Sequence, residues 1–134
     1  MTRRAISNFC AIPTAVFLIL IGILHDIVGL SGLQRAIERG EIASRFGDSH
    51  LVNWAFSGAA LSMLGVLILL VLPGLRAGSR QAWTVATAIS IFVGLVGAAG
   101  YLWVPTKPHV LIFLVFGAQL AAPLMIWRGE FSNA

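Results

Sequence analysis

Charge is scarce in this sequence: 10% of its 134 residues are Asp, Glu, Lys or Arg, while 58% are hydrophobic. A soluble domain carries roughly a quarter charged residues, so the composition excludes an ordinary water-soluble fold. Cysteine is almost missing too. Cys10 stands alone, which excludes an internal disulfide and leaves the redox compartment unread. Its expected role is that of a small apolar residue at a helix entrance. No internal repeat is visible, and no basic stripe interleaved with aromatics, so a repeat array and nucleic-acid binding are both set aside.

What the chain does contain is apolar sequence in four long runs. A hydrocarbon core of about 30 Å needs roughly 20 apolar residues at helical rise. Residues 11–30, 51–72, 83–103 and 110–127 meet that need. They predict an all-α integral membrane protein, a single-domain up-down four-helix bundle. Arg3 and Arg4 ahead of the first run resemble the start of a secretory signal, but the run is long for one and no small-residue cleavage site follows. It is expected to stay in place as a helix. Basic residues near span ends favour the cytoplasmic side. Arg3, Arg4, Arg76, Arg80 and Arg128 fall on the side of the termini, against Arg35, Arg39, Arg45 and Lys107 diluted by Glu38, Glu41 and Asp48. Five against four points to cytoplasmic termini in a cell inner membrane.

The connections differ in character. In the first, 31–49, Leu33, Ile37, Ile42 and Phe46 alternate with charges, which predicts a short amphipathic segment in the headgroup region with breaks at Gly40 and Gly47. The stretch from Pro73 to Arg80 is expected to end the second span as a basic turn, and Val104 to His109 to form a hairpin making spans three and four antiparallel neighbours. Close packing in lipid favours small residues. Span two offers Ser57, Gly58, Ser62 and Gly65, and span three repeats Gly94, Gly97 and Gly100. More such contacts between subunits would make a homo-oligomer or a larger membrane complex. Trp54, Trp83, Trp103 and Trp127 each lie near a span end, where an indole suits the interface.

Laid side by side in alternating directions, the spans gather polar groups at their outer end. His25 and Asp26 lie near the end of span one, His50 and Asn53 open span two, Tyr101 closes span three and His109 opens span four. Gln119 alone lies deeper. An ionisable residue inside a span is costly unless paired or hydrated, so His25 and Asp26 need a reason to be there. Adjacent helix residues point about 100° apart, so the two are not expected to face one neighbouring helix squarely.

On one reading, His25 is the acid-base group, Asp26 and Tyr101 assist it, and His50, Asn53, Trp54 and Trp103 contact a hydrophobic small molecule that is isomerised or cyclised. On the other, the cluster is a polar clamp within a non-catalytic subunit or assembly factor. His25 then bonds Tyr101, Asn53 or a backbone carbonyl, while Asp26 reaches an arginine of the first connection. Histidine and aspartate also suit zinc or copper, and one or two histidines suit haem iron, yet the spacing matches no metal pattern and no ligand is assigned.

The string Gly22-Ile23-Leu24-His25-Asp26-Ile27-Val28-Gly29-Leu30, followed by Trp54-Ala55-Phe56-Ser57-Gly58 and Gly65, resembles a family of small bacterial four-span proteins with no assigned function. The resemblance covers most of the chain and implies fold and membrane location. Ser57-Gly58-Ala59-Ala60-Leu61 and Gly100-Tyr101-Leu102-Trp103 are similar in layout to styrene oxide isomerase and the hydroxylaminobenzene mutases, compact four-span enzymes that rearrange small hydrophobic substrates. Against that pattern, Phe56 occupies the position of the haem-ligating histidine, Ser62 replaces an asparagine, and His50 aligns only across an insertion. The resemblance carries over Tyr101 alone, as a hydroxyl that orients substrate.

Overall fold

The computed structural model describes residues 2–131. Among them there is no strand, and four helices are long and apolar enough to cross a membrane. We number these α1 (Arg3–Glu38), α2 (Ser44–Ala77), α3 (Arg80–Trp103) and α4 (Leu111–Ile126). The chain is all-α, with the elements of a four-helix bundle, and reads as a multi-pass membrane protein.

α1, α2 and α3 outrun the apolar runs that announce them, and their ends show why. Thr2 caps α1, its hydroxyl accepting from the Ala5 amide, and Ser79 caps α3 through the Ala82 amide. At the other end of α1, Gly40 adopts φ +73°, its amide reaches Ile37 O (2.9 Å), and the Glu41 amide reaches Ala36 O (3.0 Å). The same two-bond glycine stop closes α2, where Gly78 has φ +83° and Ser79 donates to Gly74 O at 2.8 Å. α1 and α2 therefore run on until a glycine can turn left-handed.

One sequence expectation changes accordingly. The stretch 31–49 is not a separate amphipathic element: its first part is the end of α1, its last part the beginning of α2, and only 39–43 is non-helical. Arg35 supports this continuation by donating to Ser31 O one turn back (3.0 Å). Gly47 is no break either. It is buried inside α2, where a Cβ would lie 3.2 Å from Ile37 Cδ1, so its smallness serves packing. The basic stretch around Pro73 does end α2 as expected, but at Ala77, with Pro73 itself inside the helix. A proline removes one ladder bond, and Leu75, only 1% exposed, carries the packing beyond it.

The residues divide into two compact units, one formed by those up to 15 with those from 67 on, the other by 16–66. Within the first, α3 and α4 pack as the antiparallel hairpin that their short connection requires. A Cβ at Gly97 would come within 2.5 Å of the Leu114 amide nitrogen, and one at Gly117 within 2.5 Å of the Gly94 nitrogen and 2.7 Å of Ser90 O. Backbone meets backbone there, the close approach that small residues permit in lipid. The start of α1 joins this unit through polar side chains that cap helix carbonyls. Gln119 Nε2 donates to Phe9 O (3.1 Å) and the Thr14 hydroxyl to Phe116 O (3.4 Å). Phe9 lies in a π-turn, Ser7–Ala11, a winding that frees a carbonyl for such a partner. Trp83 Nε1 donates to Leu124 O at 2.8 Å, so this indole locks a helix end as well as sitting near a span terminus.

Candidate functional site: the His25–Asp26 pair

The 16–66 unit is a hairpin of α1 against α2. Its seam follows helical spacing on both sides, with Gly22, Asp26 and Gly29 at positions i, i+4 and i+7 of α1, and Trp54, Gly58 and Ser62 at i, i+4 and i+8 of α2. A Cβ at Gly22 would strike Gly58 O and Ser62, one at Gly58 would strike the Asp26 carboxylate and Gly22 O, and one at Gly29 would strike the Trp54 indole. Ser62 Oγ donates to Ile19 O (3.3 Å), adding a hydrogen bond to the contact.

This seam places the ionisable pair. Asp26 folds onto the bare Cα of Gly58. His25, one residue earlier, stacks flat on Trp54, with ring centroids 4.6 Å apart and planes 13° from parallel. The same indole donates from Nε1 to His25 O at 2.9 Å. Trp54 thus holds both ends of His25, its ring by stacking and its carbonyl by hydrogen bonding. Adjacent residues on α1 were expected to look toward different neighbours. Here both rest on α2, because Trp54 is long enough to reach around to His25 while Gly58, one turn on, has nothing to keep Asp26 away.

His25 Nδ1 and Asp26 Oδ1 stand 3.5 Å apart. Both atoms are buried, and neither has a hydrogen-bond partner. The side chains as wholes are 28% and 29% exposed, so each has one polar atom enclosed while another part of the group stays reachable. In a membrane span, unpaired polar atoms are expensive, and the arrangement is costly unless the pair shares a proton or receives a guest.

The anticipated pairing of Asp26 with an arginine of the first connection does not occur. Arg35 bonds Ser31, Arg39 Nε meets Glu41 Oε1 at 2.8 Å, and the Arg45 guanidinium lies 4.7 Å over the Phe46 ring. All three are satisfied locally, which leaves the carboxylate to the histidine.

Among the other residues picked out from sequence, His50 and Asn53 belong to the same unit, and both are exposed. Asn53 offers its backbone carbonyl to Ser57 Oγ (2.8 Å), and neither side chain bonds the two buried atoms. Tyr101 and Trp103 occupy the last turn of α3 in the first unit, 37% and 86% exposed, and His109 lies in the short turn Pro108–Val110 before α4. The structure therefore brings together His25, Asp26 and Trp54. Gly22 and Gly58, which make room for them, carry no chemistry of their own; their four-residue spacing from Asp26 and Trp54 was the signal. Among the described residues, no three His, Cys, Asp or Glu side chains converge as metal ligands would.

Compared with protein-family models, with curated proteins and with solved structures, the chain matches none.

Proposed function

We propose that the protein is an integral membrane protein whose His25–Asp26 pair binds a hydrophobic small molecule and moves a proton on it, isomerising or cyclising it by acid-base chemistry. The observation that carries this reading is the pair of buried, unpartnered atoms, His25 Nδ1 and Asp26 Oδ1, lying 3.5 Å apart in a membrane-spanning hairpin. A proton on Nδ1 directed toward Asp26 leaves Nε2 with a lone pair. The Trp54 ring fixes the imidazole plane, so Nε2 takes a proton from one atom of the guest and returns it to another, with no net change in composition. His50, Asn53 and Trp54, on the same hairpin, complete the proposal as contacts to the guest. The five arginines on the side of the termini favour a cytoplasmic membrane with those termini inside.

A second reading is favoured by one feature, the stack and indole hydrogen bond between Trp54 and His25, which are what a helix clamp needs. His25 is then a structural residue of a non-catalytic subunit in a homo-oligomer or larger membrane complex.

Deuterium exchange separates the two. Reconstituted protein in heavy water is given a panel of small apolar ketones and epoxides, and label uptake or rearrangement is read by mass spectrometry. The acid-base reading expects turnover by the wild type, its loss in His25→Ala, and an unchanged melting temperature. The clamp reading expects no turnover and a lowered melting temperature in the variant.

A further inference from the structure

The arginines on the side of the termini do more than set orientation. Arg3 Nη1 donates to Ala77 O at 3.0 Å, at the closing turn of α2, and Arg3 Nε lies 4.0 Å from Glu130 Oε2. A Cβ at Gly78 would strike the Arg3 guanidinium and lie 3.2 Å from Glu130 O. The beginning of α1, the turn between α2 and α3, and the segment after α4 therefore meet at one point. Arg4, Arg76, Arg80 and Arg128 each stand within two residues of it along the chain. Arg76 is anchored to Asn8 Oδ1 at 2.9 Å, while Arg4 and Arg128 are exposed. Among the described residues, Arg3, Arg4, Arg76 and Arg128 set against the carboxylate of Glu130 leave an excess of positive charge around the ends of helices long and apolar enough to cross a membrane.

Such a concentration of like charge at headgroup level repels itself unless something negative lies beside it. Guanidinium groups present flat forks that match phosphate oxygens two at a time. From this collar we infer a binding site for the headgroup phosphate of an anionic glycerophospholipid. A zwitterionic lipid brings the same phosphate together with an ammonium group that the surplus charge disfavours. Arg3 and Arg76, held by protein partners, position the collar, and the exposed Arg4 and Arg128 make the headgroup contacts.

The test counts lipid adducts by native mass spectrometry on the full chain in detergent, supplied with equal amounts of phosphatidylglycerol and phosphatidylethanolamine. The wild type is expected to retain the anionic lipid in about fivefold excess or more, given the attraction of basic side chains to anionic surfaces. The double variant Arg4→Gln, Arg128→Gln is expected to fall close to parity at an unchanged melting temperature, and Arg4→Lys, Arg128→Lys to keep most of the preference. Equal retention of the two lipids by the wild type overturns the inference. So does a preference that survives the glutamine substitutions, or displacement of phosphatidylglycerol by millimolar inorganic phosphate, which marks a site for a free anion.

Discussion

The two hairpins of this protein are built on the same principle and use it for different ends. In α3–α4, glycines let backbone approach backbone, with Gly97 against Leu114 and Gly117 against Gly94 and Ser90. In the α1–α2 hairpin, glycine spacing opens places for an ionisable group and an indole, Gly58 beneath Asp26 and Gly29 beneath Trp54. Polar groups divide in the same way. In the unit containing α3–α4, Gln119, Thr14 and Trp83 each end on a backbone carbonyl, and their role is completed by that bond. In the α1–α2 hairpin, the Trp54 and Ser62 donors also end on carbonyls, yet the two groups able to carry a proton have enclosed atoms without a partner. Ser7 and Thr87 in the first unit have unpartnered buried hydroxyls as well, but an aliphatic hydroxyl does not ionise near neutral pH and so offers no acid-base group. A satisfied polar group holds helices together, and an unsatisfied titratable pair is where chemistry is to be sought.

The sharpest way to break this contrast is to add one methyl group to each seam. Gly117→Ala meets backbone atoms on every side, so it is expected to cost about 3 kcal/mol, the upper end for overpacking, read as the loss of melting temperature in detergent. Gly58→Ala meets a movable carboxylate as well as Gly22 O, so its cost is smaller, about 1–2 kcal/mol, but it displaces Asp26 and is expected to abolish turnover. Equal stability losses, or turnover that survives Gly58→Ala, would remove the distinction between the two seams. A milder probe is Trp54→Phe, which keeps a ring for His25 to stack on but deletes the indole donor to His25 O. It is expected to cost about 1 kcal/mol and to reduce turnover without eliminating it. Smallest of all is Ser62→Ala, which removes the hydrogen bond to Ile19 O at about 0.6 kcal/mol, with turnover unaffected. A large loss of activity there would show that the hairpin is not divided between holding and reacting groups as described.

The four spans were legible because hydropathy over 20 residues leaves little choice of element. The ends of α1 and α2 were not, since they depend on which glycine can adopt a positive φ with its carbonyl partners in reach. Gly40 and Gly78 do so, whereas Gly47 packs inside a helix and Pro73 is carried through. That His25 and Asp26 need a reason to lie in a span was readable from their cost in lipid. Their common resting place on α2 was not, because it arises from unequal neighbours, a long indole at position 54 and an empty one at 58, and not from the angle between successive residues. The arginine turn was seen as a topological signal, but its convergence with Arg3 and Glu130 needs residues more than 70 positions apart to meet.

The central claim is that the enclosed His25–Asp26 pair is kept to act on a guest through His25 Nε2. Mass spectrometry of the organic extract from detergent-purified protein tests it most directly, with wild type, His25→Ala and Asp26→Asn compared at matched melting temperature. A hydrophobic compound of low mass, present in the wild type and missing from both variants, is the predicted result. An extract that holds only phospholipid in all three proteins, or a compound retained equally by the variants, would contradict the account and leave His25 as a clamp between two helices.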